Sequence, residues 1–442
     1  MQFAKPLFAA FALVLLAPPA HAELDVASLK QSIEASFERD YPKLDALYKD
    51  IHAHPELAFQ EEKTAAKLAS EMRAAGFEVT EKVGRTGLVA LYRNGDGPTI
   101  MVRTELDALP MEEKTGLPYA SHDKTNWQGR ETFVAHSCGH DIHMASWLGT
   151  AKTLVGLKDR WKGTLMFVAQ PGEEVGAGAM AMLSDGLFIR FPKPDAAFAL
   201  HDQPFPYGTV RYRVGAGSSS ADDLFIRFKG RGGHGAVPQA TIDPVMMASR
   251  FVVDVQSVIS REKDPTETGV ISIGSFHAGT SSNIIPDEAV LRGTIRTFKP
   301  EVRARMRDGI ERTARAVAAM ANAPAPDIVI TEGIKAVIND PALVATAEKA
   351  LKPAFGEKLS LSPANTTSED FSEFGDSGVP LMMFNIGVYE EDAWAAANKS
   401  GTPLAGNHSP LFAPVPKPTI QTGVTAMTLA VLSAFDQRAG AP

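Results

Sequence analysis

The run His136-Ser-Cys-Gly-His-Asp-Ile-His143 gathers the densest set of metal-capable side chains in the chain. Cys138 and His140 stand two residues apart, so in extended backbone they point to the same side and can reach one ion. Gly139 between them permits close approach of the backbone. A thiolate and an imidazole suit a borderline-soft divalent ion such as Zn²⁺. A Cys-x-His pair is weak on its own, and a free cysteine is most often a small buried hydrophobe. Support comes from a second cluster, Gln170-Pro-Gly-Glu-Glu-Val-Gly176, directly after a strand expected over 164–169. Open α/β sheets place their ligands at such strand ends. On a surface helix, adjacent glutamates would be a solvated face. Here Pro, Gly and a small-residue helix start bracket them, which favours chemistry. One carboxylate can ligate a metal while the other takes a proton from metal-bound water. His201 follows a strand expected over 196–200, and His408 lies in the turn-rich run Gly406-Asn-His-Ser-Pro410. A lone loop histidine is ordinarily a hydrogen-bonded surface residue; occurring together with the two clusters, these become candidate ligands.

The elements that must position these residues follow from periodicity. A helix is expected over 61–75, stopped by Gly76, then short strands at 77–79, 88–92 and 100–102 with Gly/Asp/Pro turns between the last two. A helix over 140–157, the strand at 164–169, a helix over 177–187 and the strand at 196–200 continue the alternation, which predicts an α/β layer with a largely parallel sheet. The middle of the chain changes rhythm. Strand 224–228, helix 243–260, strands 270–276 and 290–297, helix 300–321 and strand 328–330 give the order β-α-β-β-α-β, the ferredoxin-like arrangement. The Gly/Ser run 215–220 reads as a hinge into this unit, with the return near Glu332-Gly333. A helix from Pro341, a strand over 381–384 and a closing helix over 419–435 resume the first pattern. The expected architecture is a discontinuous α/β domain, residues 23–217 and 332–442, with an inserted α+β lid over 218–331.

Taken together these stretches resemble the M20 metallopeptidase family, in particular its amidohydrolases of N-acyl amino acids, hippurate and auxin conjugates. The resemblance also rests on His52-Ala-His-Pro-Glu-Leu57, Arg103-Thr-Glu-Leu-Asp-Ala-Leu-Pro110, His201–Val210, Gly230-Arg-Gly-Gly-His-Gly-Ala-Val-Pro238, Asn283-Ile-Ile-Pro286, Gly293-Thr-Ile-Arg296 and Ser368-Glu-Asp-Phe371, in family order along nearly the whole chain. It implies a zinc-peptidase-like catalytic domain with a lid that also dimerises. It further implies two divalent metal ions per subunit, Zn²⁺ or Mn²⁺ with Co²⁺ or Ni²⁺ also compatible, held by Cys138, His140, Glu174, His201 and His408. Glu173 is then the general base acting on a metal-bridging water. His234, reaching the active site of the partner subunit, stabilises the oxyanion, and Asn283 holds substrate polar groups, again in trans. The implied reaction is hydrolysis of the amide bond of an N-acyl amino acid or small peptide-like substrate by a homodimer paired through the lid.

The chain departs from the family pattern at two places. Glu105 stands where Asp is usual, and its role stays open, whereas Asp107 matches and is read as orienting a ligand. Gln239 replaces a histidine common after the lid proline. His52, His54 and His143 are read as satisfying buried hydrogen bonds rather than as ligands. Two other readings are a carboxypeptidase or dipeptidase of the same family and, more remotely, a non-catalytic ligand-binding protein. The latter should have lost Glu173 or several ligands, and all are present. No Gly-x-Gly-x-x-Gly follows a strand in a dinucleotide-binding context.

Bulk properties agree with an exported enzyme. Lys5, an apolar run over 7–17 and Ala20-His21-Ala22 form a cleavable signal, residues 1–22, with cleavage after Ala22. The apolar run is shorter than the roughly 20 residues that span a bilayer. The expected location is the periplasm or outside the cell, with no membrane association after cleavage. Of the 442 residues, 44% are hydrophobic and 22% charged, with a net charge of −8, which gives no basic footprint for nucleic acid. The single cysteine, Cys138, rules out an intrachain disulfide.

Overall fold

The computed structural model describes residues 24–439, and the signal read over 1–22 lies outside them. Four apolar strands, Gly163–Gln170, Thr99–Glu105, Ala196–Pro206 and Leu381–Tyr389, lie side by side and parallel in that order. Thr99–Glu105 is buried along its whole length, as a strand covered on both faces must be. The sheet is less parallel than its sequence rhythm predicts. Glu78–Val83 and Gly87–Asn94 form a hairpin, and strands joined by so short a turn can only run antiparallel. Gly163–Gln170 then inserts between Gly87–Asn94 and Thr99–Glu105, which are neighbours in sequence but not in space. Short pairings at the other edge complete a mixed sheet of ten strands.

Helix His140–Gly156 is buried almost throughout and packs between Val26–Ala53 and Pro416–Ala439. Val26–Ala53 precedes every element read from the sequence. Its buried face, Val26, Leu29, Ile33, Phe37, Leu44, Tyr48 and Ile51, has helical spacing, but Pro42 interrupts the pattern where a reader expects a helix to stop.

The middle segment builds a second, four-stranded antiparallel sheet, ordered Gly269–Ala278, Glu288–Thr297, Ser220–Lys229, Asp327–Glu332. Helices Pro244–Asp254 and Pro300–Met320 cover one face and share its separate core, including Ile226, Phe228, Phe251, Met306 and Ile310. The first of these helices stops at Asp254 and gives way to a wide turn at Val258–Glu262, short of the expected 260. Asp243 caps its start, accepting the N–H groups of Val245 and Met246.

The passage between the two sheets is tied down more firmly than a Gly/Ser hinge suggests. Gly215–Ala216 pairs antiparallel with Ile338–Asn339, and the Gly217 N–H donates to the Val337 carbonyl at 2.8 Å. Ser218, Ser219 and Ser220 are buried, and the Ser219 N–H donates to the Thr367 carbonyl.

Candidate metal centre

The C-terminal ends of the parallel strands converge on one buried cluster. Thr99–Glu105 delivers Asp107, Gly163–Gln170 delivers Glu173 and Glu174, and Ala196–Pro206 carries His201. Cys138 and His140 arrive on the turn that starts helix His140–Gly156. That turn is possible because Gly139 has φ +86 and because a Cβ there would lie 2.0 Å from the Asp202 carboxylate. His408 comes from the loop before the last helix. It holds a left-handed backbone, φ +66, which costs a non-glycine residue on the order of 1–3 kcal/mol. The His408 N–H to the Ser137 carbonyl at 2.7 Å, and Asn407 Nδ2 to the Cys138 carbonyl at 2.9 Å, fix that loop to the Cys138 turn.

Cys138, His140 and His201 present ligand atoms within 4.8 Å of one another, and so do Cys138, Glu174 and His408. Individual separations are 3.5 Å for Cys138 Sγ to His201 Nε2, 3.3 Å for His408 Nε2 to a Glu174 oxygen and 3.8 Å for His140 Nε2 to the other. Tetrahedral edges built on zinc–nitrogen and zinc–sulfur bonds come to about 3.4–3.8 Å. The ring orientations suit ligation. His140 Nδ1 donates to the Asp107 carbonyl and His201 Nδ1 to the Asp202 carbonyl, both at 2.7 Å, so each Nε2 faces the cluster. Burial opposes charge on His140, but Asp107, Glu105 and Glu174 push it up to about 10, so a cation at its Nε2 would displace a proton. His140 Nε2 and Glu174 Oε1 are buried with no hydrogen-bond partner, as atoms reserved for a cation would be. Burial and nearby His143 pull the His201 imidazole down to about 4, which leaves it neutral. Burial and the carboxylates of Glu174 and Glu173 push the Cys138 thiol up, so its thiolate needs a positive charge beside it. The residues fit divalent metal on each of these counts.

The two glutamates differ. Both line the cleft and each has an oxygen 3.8 Å from His140 Nε2, but only Glu174 also faces His408, at 3.3 Å, and the Glu173 carboxylate accepts no side-chain hydrogen bond among the described residues. Burial, with Glu369, Glu174 and Asp370 around it, holds the Glu173 carboxyl well above its ordinary range. Asp107 is fully buried. It binds the backbone of both glutamates, accepting from the Glu173 N–H at 3.1 Å and the Glu174 N–H at 2.9 Å.

Glu105 bridges two partners. One oxygen meets buried Arg103 and the other takes the His143 Nδ1 proton at 3.1 Å. His143 Nε2 accepts the Asp202 N–H at 2.9 Å, so both ring nitrogens are engaged and neither is free for an ion. Arg103 also reaches Glu369 and Asp370 at 2.8 and 3.0 Å and Gln170 at 2.9 Å. His52 is buried between Asp141 and Glu113 and fulfils its structural reading. His54 does not: it is exposed, facing Asp123. Sequence reasoning missed Glu61, which is fully buried. Its carboxylate accepts the Gly172 N–H at 2.8 Å and the Thr86 hydroxyl, anchoring the turn that carries both glutamates.

His234 and Asn283 stand elsewhere. They share a small exposed two-stranded antiparallel ribbon of the middle segment, where His234 pairs with Ile284 and the Gly235 N–H donates to the Asn283 carbonyl. Neither is among the residues lining the cleft. Gln239 is exposed in the neighbouring turn. The cleft itself, about 1010 Å³, lies between the Cys138 cluster and the open face of the four-stranded sheet, which contributes Arg296.

Converging thiol, imidazole and carboxylate groups, with a second glutamate at the cleft, define a metal-dependent hydrolase site. Residues 101–400 match the model of peptidase family M20/M25/M40. Hippurate hydrolase of Campylobacter jejuni is 38% identical over 312 residues, 70% of this chain and 78% of that protein. N-acetylcysteine deacetylase of Bacillus subtilis is 33% identical over 357 residues, 80% of this chain and 90% of that protein. Among solved structures, a dinuclear metal binding peptidase of the M20 family from Bacillus subtilis superposes with a TM-score of 0.74. It is 28% identical, covering 91% of this chain and 99% of that one. The chain therefore belongs to peptidase family M20/M25/M40, as a metal-dependent amidohydrolase with the family's inserted second domain.

Proposed function

We propose that the protein hydrolyses the amide bond of N-acyl amino acids or small peptide-like substrates, with Glu173 as general base. The observation that carries this reading is the asymmetry of the glutamate pair: both approach His140, but Glu174 also meets His408 while Glu173 has no second histidine and no side-chain hydrogen bond where it lines the cleft. Two divalent ions, held by Cys138, His140, Glu174, His201 and His408, would supply positive charge to polarise the scissile carbonyl and acidify water. Cys138, shared by two of the ligand groups, suits a pair of ions, and one thiolate with three imidazoles favours Zn²⁺ over Mn²⁺ on softness. Glu173 takes a proton from the attacking water and hands it to the departing nitrogen. Asp107 keeps both glutamate backbones in register for these tasks. Arg296, whose Nη1 donates to Ser368 at 2.6 Å, offers the cleft a guanidinium for the carboxylate next to the scissile amide.

His234 lies on an exposed two-stranded ribbon of the lid and would serve the partner's cleft in a homodimer paired through the lid. There its Nε2 proton can meet the developing oxyanion, because Nδ1 already accepts the Ala236 N–H at 3.0 Å. Asn283 beside it would hold substrate polar groups in the same way. With the export signal of residues 1–22, the reaction is assigned to the periplasm or the exterior.

The test is hydrolysis of a panel of N-acyl amino acids and dipeptides by metal-loaded protein beside Glu173→Gln. Turnover should require divalent metal and fall by about 10²–10⁴-fold in the variant with metal still bound. Loaded wild type inert on the whole panel, or a variant as active as wild type, would sink the assignment.

A further inference from the structure

The cleft holds a second guanidinium. Arg213 lines the same cavity as Arg296, and no lining residue is Phe, Tyr or Trp. Its placement is built from buried groups. Asn339, 1% exposed, donates through Nδ2 to the Arg213 carbonyl at 2.8 Å and to the Met383 carbonyl at 2.9 Å. Through Oδ1 it accepts the Met383 N–H at 2.7 Å, so the Arg213 backbone is locked to the central sheet. The Arg213 side chain is held on one side by the Ser362 carbonyl, which accepts from Nη1 at 3.2 Å. No carboxylate pairs with it among the described residues. Arg103 and Arg303, also removed from solvent, are each ion-paired. A half-buried guanidinium with unused donors, aimed into a polar cleft, is matched by an anionic group of a ligand. Of the lining carboxylates outside the metal cluster, Glu369 is taken by Arg103, and Asp223 stands on the opposite wall, on strand Ser220–Lys229.

We propose that Arg213 forms a second anion subsite, selecting substrates that carry another carboxylate besides the one next to the scissile amide. The substrate class is then a dianionic N-acyl amino acid, with the additional charge on the acyl tail or on the amino-acid side chain. This rests on the amidohydrolase reading above and narrows it, and it sets the site apart from one built for a benzoyl or other aromatic acyl group.

The experiment compares isosteric pairs on metal-loaded protein. N-acetylglutamate against N-acetylglutamine places the charge on the side chain; N-succinylalanine against N-butyrylalanine places it on the acyl tail. Wild type should prefer the dianion in one pair. Arg213→Gln should lower kcat/KM for that dianion by about 10–100-fold, mostly through KM, while the neutral-tailed partner changes by less than about 3-fold. A readout independent of turnover is calorimetric binding of glutarate against butyrate, where the wild-type preference for glutarate should vanish in the variant. Equal treatment of charged and neutral isosteres by wild type, or equal losses for both in the variant, would overturn the subsite and leave the amidohydrolase intact. Discrimination for glutarate without any turnover would instead support Arg213 and remove the hydrolase reading.

Discussion

Asp107 holds Glu173 by its backbone, and the same carboxylate holds Glu174, at 3.1 and 2.9 Å. The proposed general base and the candidate metal ligand thus share one fixed point, which sets their separation before any substrate arrives. In Asp107→Asn, the amide nitrogen turns a donor toward one of those N–H groups, so one hydrogen bond becomes a repulsion. The expected result is a 10–100-fold fall in kcat or metal affinity with the fold retained, read by steady-state kinetics and metal titration. Unchanged kinetics would deny Asp107 this positioning role.

Glu61 does the equivalent for Gly172. Removing its carboxylate in Glu61→Ala leaves a buried N–H without an acceptor, which costs about 1–3 kcal/mol in chemical denaturation. Glu61→Gln should recover most of that, because the amide oxygen can accept from Gly172 while the Thr86 hydroxyl rotates to accept from the amide. Equal losses in both variants would point to charge, not hydrogen bonding, as what matters there.

Gly139 tolerates no side chain. A methyl group would run into the Asp202 carboxylate at a backbone φ that L-residues avoid. Gly139→Ala should therefore displace Cys138 and His140 together and lower the bound-metal stoichiometry, measured by elemental analysis of purified protein. Full metal content in the variant would contradict the close-approach argument.

His52 gives a pH signature through two carboxylates that are not candidate ligands. Burial opposes its charge, but the hydrogen bonds and charges of Asp141 and Glu113 win and push it up to about 10. A histidine raised in the folded state stabilises fully below its unfolded value near 6.5, and that stabilisation is lost as pH rises toward 10. Near pH 7, His52→Leu should cost about 3–5 kcal/mol by stranding two buried carboxylates. The gap between wild type and variant should narrow between pH 7 and pH 10 in thermal melts of metal-loaded protein. A gap constant over that range would show that His52 is not charged in the fold.

Much of the metal cluster was legible because its parts are local. Cys138-Gly-His140 and Glu173-Glu174 sit on turns whose Gly and Pro residues advertise a strand end, and the strands before Glu173 and His201 carry plain apolar runs. What the sequence hid is pairing at a distance. Glu61 meets Gly172 across 111 positions, and Arg103 meets Asp370 across 267, with no periodicity to link them. Arg213 carries no motif in the sequence, and only the hydrogen bonds of Asn339 show it fixed against the sheet. The role of Glu105 also needed coordinates, since only they show one carboxylate reaching both Arg103 and His143. Helix Val26–Ala53 is the opposite case: its apolar residues keep helical spacing in the sequence, but Pro42 stands inside it, a residue that ordinarily ends a helix.

The adjacent strands at Gly215–Ala216 and Ile338–Asn339 make the middle segment a graft with a single stem. Gly217 and Val337 already touch across one hydrogen bond, so a two-residue Asn-Gly turn could splice the chain between them and restore an uninterrupted sheet edge. The four-stranded unit carries its own core. Cut at that stem, the molecule separates into two self-contained pieces, one bearing the candidate ligands Cys138, His140, Glu174, His201 and His408, the other bearing His234, Asn283 and Arg296.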